Sequence, residues 1–332
     1  MNFEKSAFKN KKILEYLSEK ESHEDYDYSE LQEFLYSLVT VFEYSASGDP
    51  LFSVVQSDWK LFSTGDVCKS VLDEMIQLGA DSFEKDGIRN SLTTVAYKSS
   101  ITDCVTVWEE LKEDIKKHHR FTTDLKKLEA AGWDKILDNQ YRLNPDATFY
   151  RARVHYKKTD SFGIGEMGAP ERDECTSGRA NPEGIPFLYL SEEAKTTFYE
   201  TRVIKHDVVT VGEFMIVGPV PLYVEDLTDI DLDNIELLDE DVVTLAKRKL
   251  LVRALSQDMS RPMRRFDSRV EYVPTQFICE YVQLTQSVSG IRFSSSVYPK
   301  GTNVVIFNPK LMDCVAVKDY NICDLDIKEK RI

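Results

Sequence analysis

The side chains able to do chemistry gather in two stretches of this chain of 332 residues. The first opens with Tyr150-Arg151-Ala152-Arg153 and continues through Met167-Gly168-Ala169-Pro170. It then runs through Gly178-Arg179-Ala180-Asn181-Pro182-Glu183-Gly184 and Phe187-Leu188-Tyr189-Leu190-Ser191 to Thr196-Thr197-Phe198-Tyr199-Glu200-Thr201-Arg202. The second holds Pro274-Thr275-Gln276, Gly290-Ile291-Arg292-Phe293-Ser294-Ser295-Ser296 and Asn303-Val304-Val305-Ile306-Phe307. An arginine offers a planar fork of donors that matches phosphate oxygens. A fixed carboxylate stabilises developing positive charge, and a serine hydroxyl can donate to or accept from a ligand. Taken singly, a strand arginine is ordinarily a surface ion pair, a glutamate a solvated helix end and a serine a turn residue. Only the ordered set carries weight.

Other chemistries find less support. The histidines are His23, His118, His119, His155 and His206, and neither H-E-x-x-H nor G-x-S-x-G occurs. His118-His119 reads as a basic helix end, where the dipole favours cations. The cysteines Cys68, Cys104, Cys175, Cys279, Cys314 and Cys323 form no C-x-x-C pair, so neither a zinc knuckle nor a disulfide framework is expected. Gly163-Ile164-Gly165-Glu166-Met167-Gly168 has the G-x-G-x-x-G spelling, but the nucleotide-binding version follows a strand and opens a helix. Here Lys157-Lys158-Thr159-Asp160 precedes it and Ala169-Pro170 closes it, which favours a loop. The acidic run from Asp226 to Asp241 lacks calcium-loop spacing and reads as a solvated connector.

The elements that must position these residues fall into two textures. Residues 1–140 read as helical, with Pro50 the sole proline. Tyr28 to Tyr44 carries Leu31, Phe34, Leu35, Leu38 and Phe42 at helical spacing, with Ser29 a candidate cap. Val67 to Leu78 and Thr102 to Lys117 repeat the pattern, as expected of a helical bundle. Beyond Asn144-Pro145, short alternating runs predict strands at Thr148–Val154, Phe187–Leu190, Val208–Val217, Ile291–Ser295 and Asn303–Phe307. Helices are expected from about Asp239 to Gln257 and after Pro274, a good first-turn proline. The expected class is α+β, with a helical domain over 1–140 and a catalytic domain over 141–332.

The ordered motifs over roughly 148–310 resemble the RES family, named for Arg, Glu and Ser. That resemblance implies an N-terminal all-α bundle followed by a mixed α/β domain similar to ADP-ribosyltransferases. It maps the three signature residues onto Arg151, Glu200 and Ser295, flanked by Ser294 and Ser296. Arg153 is an alternative to Arg151, two residues on along the same strand face. Arg179 and Tyr189 are the further pocket residues it implies. The implied reaction is cleavage of the N-glycosidic bond of NAD, as glycohydrolase or phosphorylase, in a bacterial toxin or defence effector. An ADP-ribosyltransferase acting on a protein target, or a non-catalytic NAD-binding module, are the alternatives. NAD is then a substrate, and no cofactor or metal is required. An antitoxin or regulatory protein is the implied partner. The N-terminal part resembles the helical HEPN-type modules that precede some RES domains, around Trp59-Lys60-Leu61-Phe62. The Arg-x(4–6)-His motif of their ribonuclease version is missing, so a docking or dimerising role is expected.

Composition sets outer bounds. With 42% apolar residues, 17 Phe and 16 Tyr, the chain can fill real cores. The net charge of −15 disfavours broad binding to nucleic-acid backbones. Local arginines can still reverse the field within a cleft. No apolar run suits a signal peptide or a membrane span, and a cytoplasmic location with reduced thiols is expected.

Overall fold

Apolar side chains at helical spacing are buried where that spacing places them on one face: Leu31, Phe34, Leu35 and Leu38 all lie in the core. The structure is a computed structural model describing residues 3–23, 27–155, 161–230, 232–233, 235, 237–262 and 269–324. The Lys157–Asp160 stretch and part of the Asp226–Asp241 run lie outside them. In chain order the main elements are α1 (Lys11–Ser22), α2 (Ser29–Thr40), β1 (Phe42–Pro50), α3 (Gly65–Leu78), β2 (Thr94–Tyr97) and α4 (Ser99–Lys117). Then come β3 (Gln140–Leu143), β4 (Phe149–Val154), β5 (Leu188–Ser191), α5 (Ala194–Glu200), β6 (Val208–Ile216) and β7 (Leu222–Asp226). The chain continues with α6 (Val242–Met259), α7 (Val273–Thr285), β8 (Gly290–Ser294), β9 (Thr302–Ile306) and β10 (Met312–Asn321). The mixture of helix and sheet is α+β. No described helix is long and apolar enough to cross a membrane.

The chain forms two compact units, one from Met1–Thr106 with Ile230–Leu251, the other from Val107–Asp229 with Val252–Ile332. In the first unit, Asn10 caps α1 by accepting from the Ile13 N–H at 3.1 Å, and its amide donates to the Leu232 carbonyl at 3.1 Å. Trp59 is buried and donates to the Tyr97 hydroxyl at 3.2 Å.

This unit is not all helical. The helix expected through Tyr44 ends at Thr40, and β1 pairs antiparallel with β2. The run Val39-Thr40-Val41-Phe42 explains the switch, because β-branched and aromatic residues suit a pleated surface. Phe42 then packs against Tyr97 with ring centroids 4.5 Å apart. Ser29 is the first residue of α2 and not its cap; its own N–H donates to Asp27 Oδ1 at 3.0 Å.

The second unit is built on an eight-stranded sheet in the order β10-β6-β4-β5-β9-β8-β7-β3. The neighbours run antiparallel apart from β7 and β8, which are parallel. Alternation sends Phe149, Leu188, Leu190, Phe214, Val304 and Ile306 into one core layer with Met167. Ala152, Val209 and Val211 face the other way, against Val203 with Phe198 of α5 packed alongside. The start of the acidic run is no solvated connector: Asp226 ends β7 and is buried against Arg292 at 2.8 Å. Arg292 also pairs with Glu192 at 2.7 Å, so the strand ends are locked by a shared guanidinium.

β4 and β5 are paired only at Tyr150↔Ser191. Past that register the two strands part. The residues of interest gather at this parting.

Candidate functional site

A cavity of about 710 Å³ is lined from β4 by Tyr150, Arg151 and Ala152 and from β5 by Tyr189, Leu190 and Ser191. Among the described residues its walls hold four arginines, Arg151, Arg179, Arg202 and Arg269, and one carboxylate, Glu200. In a chain of net charge −15, this concentration of cations is a local inversion of the field.

Glu200 is the last residue of α5 and is fixed by two donors, one just past the end of β8 and one in β9. The Ser295 hydroxyl donates to Glu200 Oε1 at 2.7 Å, and Asn303 Nδ2 donates to the same oxygen at 2.6 Å. Asn303 is itself held by the Ser191 hydroxyl, which donates to Asn303 Oδ1 at 2.7 Å. Ser295 accepts from the backbone N–H of Tyr298 at 3.0 Å, which sets its hydroxyl proton toward Glu200. Among the described residues Oε2 takes no donor, so one carboxylate oxygen is anchored and the other is left for a ligand.

The neighbouring serines do other work. The Ser294 carbonyl accepts from the Ser260 hydroxyl at 2.7 Å, and Ser296 lines the cavity. Tyr199 and Tyr298 stack with centroids 4.8 Å apart and rings 12° from parallel, holding the serine loop against α5.

Arg151 donates from Nη1 to the Gly168 carbonyl at 2.8 Å. Among the described residues no carboxylate pairs with it. Burial, with the charge of Arg153 adding to it, lowers its pKa to about 10, which still leaves it cationic near neutrality. Arg153 points along the same strand face, donating to the Glu166 carbonyl and lying 4.5 Å from the centre of the Phe162 ring. It is not among the residues lining the cavity. The G-x-G-x-x-G stretch thus offers carbonyls to two arginines through Glu166 and Gly168, the reverse polarity to a phosphate cradle.

Arg179 sits on the Gly178–Gly184 turn. Its Nη1 donates to the Asp258 carbonyl at 3.2 Å and its Nη2 to the Arg261 carbonyl at 2.8 Å. The turn is clamped from both sides. Tyr189 donates to Asn181 Oδ1 at 2.7 Å and accepts from the Ala180 N–H at 2.9 Å. Gln276 of α7 donates to the carbonyls of Gly178 at 2.7 Å and Asn181 at 3.1 Å. A Cβ on Gly178 would stand 2.5 Å from Asn181 Oδ1 and 2.7 Å from the Tyr189 hydroxyl, so the clamp needs glycine there. Burial pushes the Tyr189 hydroxyl well above its ordinary range, which keeps it a neutral donor.

Arg202 follows α5 in the left-handed region, at φ 52°. The N–H of Val203 reaches the Phe198 carbonyl at 3.3 Å and that of Arg202 reaches the Tyr199 carbonyl at 3.0 Å, the bonding pattern of a helix end that ordinarily takes glycine. A side chain here costs on the order of 1 kcal/mol in the backbone. We expect Arg202→Gly to raise the denaturation midpoint, by about 1 kcal/mol of stability at unchanged slope, and to weaken binding of an anionic ligand. A midpoint that falls would show that the arginine side chain stabilises the fold by more than its backbone strains it.

Among the lining residues, Asn303, Ser191 and Arg202 stand inside the ordered motifs without an expected site role, and Arg269 lies outside them. Asn303 had a visible signal, as a polar residue at the head of Val304-Val305-Ile306-Phe307. Arg202 had its place two residues after Glu200 at the end of a motif, and Arg269 had no signal, because an isolated arginine in a loop is ordinary.

Residues 148–326 match the family described as RES domain, so the resemblance seen over roughly 148–310 extends to 326. Comparison with curated proteins gives no match. Among solved structures the chain is similar to the crystal structure of the M. tuberculosis MbcT-MbcA toxin-antitoxin complex, at 14% identity and a TM-score of 0.30, covering 56% of this chain and 90% of that one. With more than half its length matched in sequence, this chain belongs to the RES domain family.

Proposed function

We propose that this protein cleaves the N-glycosidic bond of NAD, with Glu200 as the residue facing the reacting ribose. One observation carries the reading: among the described residues a single carboxylate, anchored through one oxygen by Ser295 and Asn303, stands in a cavity otherwise charged by arginines. NAD needs both halves of that arrangement. Its pyrophosphate is anionic and suits guanidinium forks. Its ribose becomes positive as the C1′–N bond breaks, as in other glycoside chemistry.

In this reading Arg151 and Arg179 hold the pyrophosphate. The bond electrons leave with the nicotinamide ring nitrogen, whose positive charge they cancel. The unengaged oxygen of Glu200 stabilises the oxocarbenium character left on the ribose. An oxygen of the acceptor then bonds to C1′, and the acceptor proton passes to solvent. Ser295 and Asn303 are positioning residues for Glu200, and Tyr189 positions the turn that bears Arg179. Depletion of NAD would arrest growth, which suits a toxin or defence effector held in check by a protein antitoxin.

The test is nicotinamide release from NAD by the purified full chain, followed by chromatography with and without inorganic phosphate. Release confined to phosphate-containing buffer identifies a phosphorylase, and release in both identifies a glycohydrolase. ADP-ribose appearing on added protein in place of free product identifies a transferase. A folded protein that releases no nicotinamide under any of these conditions removes the proposal.

A further inference from the structure

Arg179 lines the cavity on one side, and on the other it borders a small hollow of about 20 Å³ shared with Lys112, Asp258, Glu271 and Tyr272. Two carboxylates therefore lie close behind a guanidinium whose charge is wanted in front. Neither takes it. Arg179 bonds instead to the backbone carbonyls of Asp258 and Arg261, at the C-terminal end of α6. Asp258 stands in the last turn of α6 and Arg261 just beyond it, and the Asp258 carbonyl also accepts from the Arg261 N–H at 3.4 Å. Carbonyls at a helix C-terminus carry its partial negative charge, so they seat a cation without neutralising it.

The Asp258 carboxylate is occupied elsewhere. Its Oδ2 receives the indole N–H of Trp108 at 2.7 Å and Lys112 Nζ at 2.8 Å, both from α4. One helical turn on, Lys116 Nζ lies 2.9 Å from Glu271 Oε2. The two lysines are mostly buried, with side chains 15% and 16% exposed, so these ion pairs are less screened than surface ones. Residues 108–116 precede the stretch that matches the RES family, which begins at 148.

We propose that Lys112 and Lys116 act as charge guards: by sequestering the Asp258 and Glu271 carboxylates they keep the Arg179 guanidinium free to bind an anionic diphosphate in the cavity. The inference rests on the reading of the cavity as a pyrophosphate site. Without Lys112, the Asp258 carboxylate shares the hollow with Lys116 and Arg261, which lie 2.9 and 3.9 Å from Glu271 Oε2, and with Arg179, which has no carboxylate of its own among the described residues. Rotation of the Asp258 side chain would then close an ion pair where a ligand oxygen should bind. The guard is thus electrostatic, and removing the carboxylate should make it unnecessary. A merely structural brace would behave in the opposite way, each loss adding to the last.

The experiment is calorimetric titration of the full chain with ADP, which offers a diphosphate and cannot be turned over. Melting temperatures are recorded alongside. Lys112→Met should weaken ADP binding by about tenfold, the size expected for a lost charge-assisted contact. Asp258→Asn alone, whose amide oxygen still accepts from Trp108, should bind ADP at least as tightly as the unmodified chain. The double variant should recover to within about twofold of it, a coupling between neighbours that additive effects cannot produce. Lys112→Arg should retain binding. Weaker binding in Asp258→Asn, or a double variant no tighter than Lys112→Met, would overturn the proposal. So would an unmodified chain that does not bind ADP. Should Lys112→Met fail to fold, the comparison of Asp258→Asn with the unmodified chain decides in the same direction. ADP binding with this pattern, in a protein that releases no nicotinamide, would retain the guard and discard NAD cleavage.

Discussion

Glu200→Gln is expected to lower kcat for nicotinamide release by about a thousandfold while leaving the fold and KM nearly unchanged, a loss of the size seen when a preorganised electrostatic contact is removed. Glutamine is chosen because it separates charge from scaffold. Its carbonyl oxygen can still accept from the Ser295 hydroxyl and from Asn303 Nδ2, the two donors that hold Oε1 at 2.7 and 2.6 Å. Alanine would leave both donors without an acceptor inside the protein. That costs about 1–3 kcal/mol for each buried group, so its lost activity would mix chemistry with damage. If the glutamine variant keeps activity within tenfold of the parent, a negative charge at residue 200 is not what drives bond cleavage.

Arg151→Met is expected to stabilise the protein and cripple substrate capture at once. A guanidinium has five N–H donors, and the described structure engages Arg151 at the Gly168 carbonyl alone. Burial works against its charge, and no carboxylate among the described residues offsets that cost. Methionine has a similar length and no charge, so the empty protein should gain about 1 kcal/mol, read as a higher denaturation midpoint. Substrate loses a charge-assisted contact or a bidentate pair worth about 3 kcal/mol, so kcat/KM should fall by about a hundredfold. A midpoint that drops instead would make Arg151 part of the scaffold and not of the ligand site.

Several elements could be read from residue pattern because their faces are unequal. β4, β5, β6, β8 and β9 alternate or are apolar throughout, and each falls within a residue or two of its expected span. β10 and β3 escaped because they are edge strands with charged and polar residues along exposed faces, such as Lys318, Asp319 and Arg142. β1 was hidden by Leu38 and Phe42, which keep helical spacing across a point where the backbone leaves the helix. The nearness of Glu200 and Ser295, 95 residues apart, was available from motif order and not from any local pattern. Asn303 and Ser191 complete that group through register, with Ser191 opposite Asn303 in the β5–β9 ladder. Register between distant strands is set by the whole sheet, so a single strand does not announce it. The rim arginine Arg202 depends on how α5 ends, a left-handed residue that the spelling Thr201-Arg202-Val203 does not advertise.

The contrast between an acidic exterior and a cationic hollow has a kinetic consequence. On the proposed function, a substrate anion would be repelled at a distance by a body of net charge −15 and held at close range by the arginines. Dissolved ions weaken the long-range repulsion first, because it acts over more than a Debye length, roughly 10 Å at 0.1 M. They loosen the close contacts only at higher concentration. Raising ionic strength from a low value should therefore speed encounter before it erodes residence, and the rate of capture should pass through a maximum.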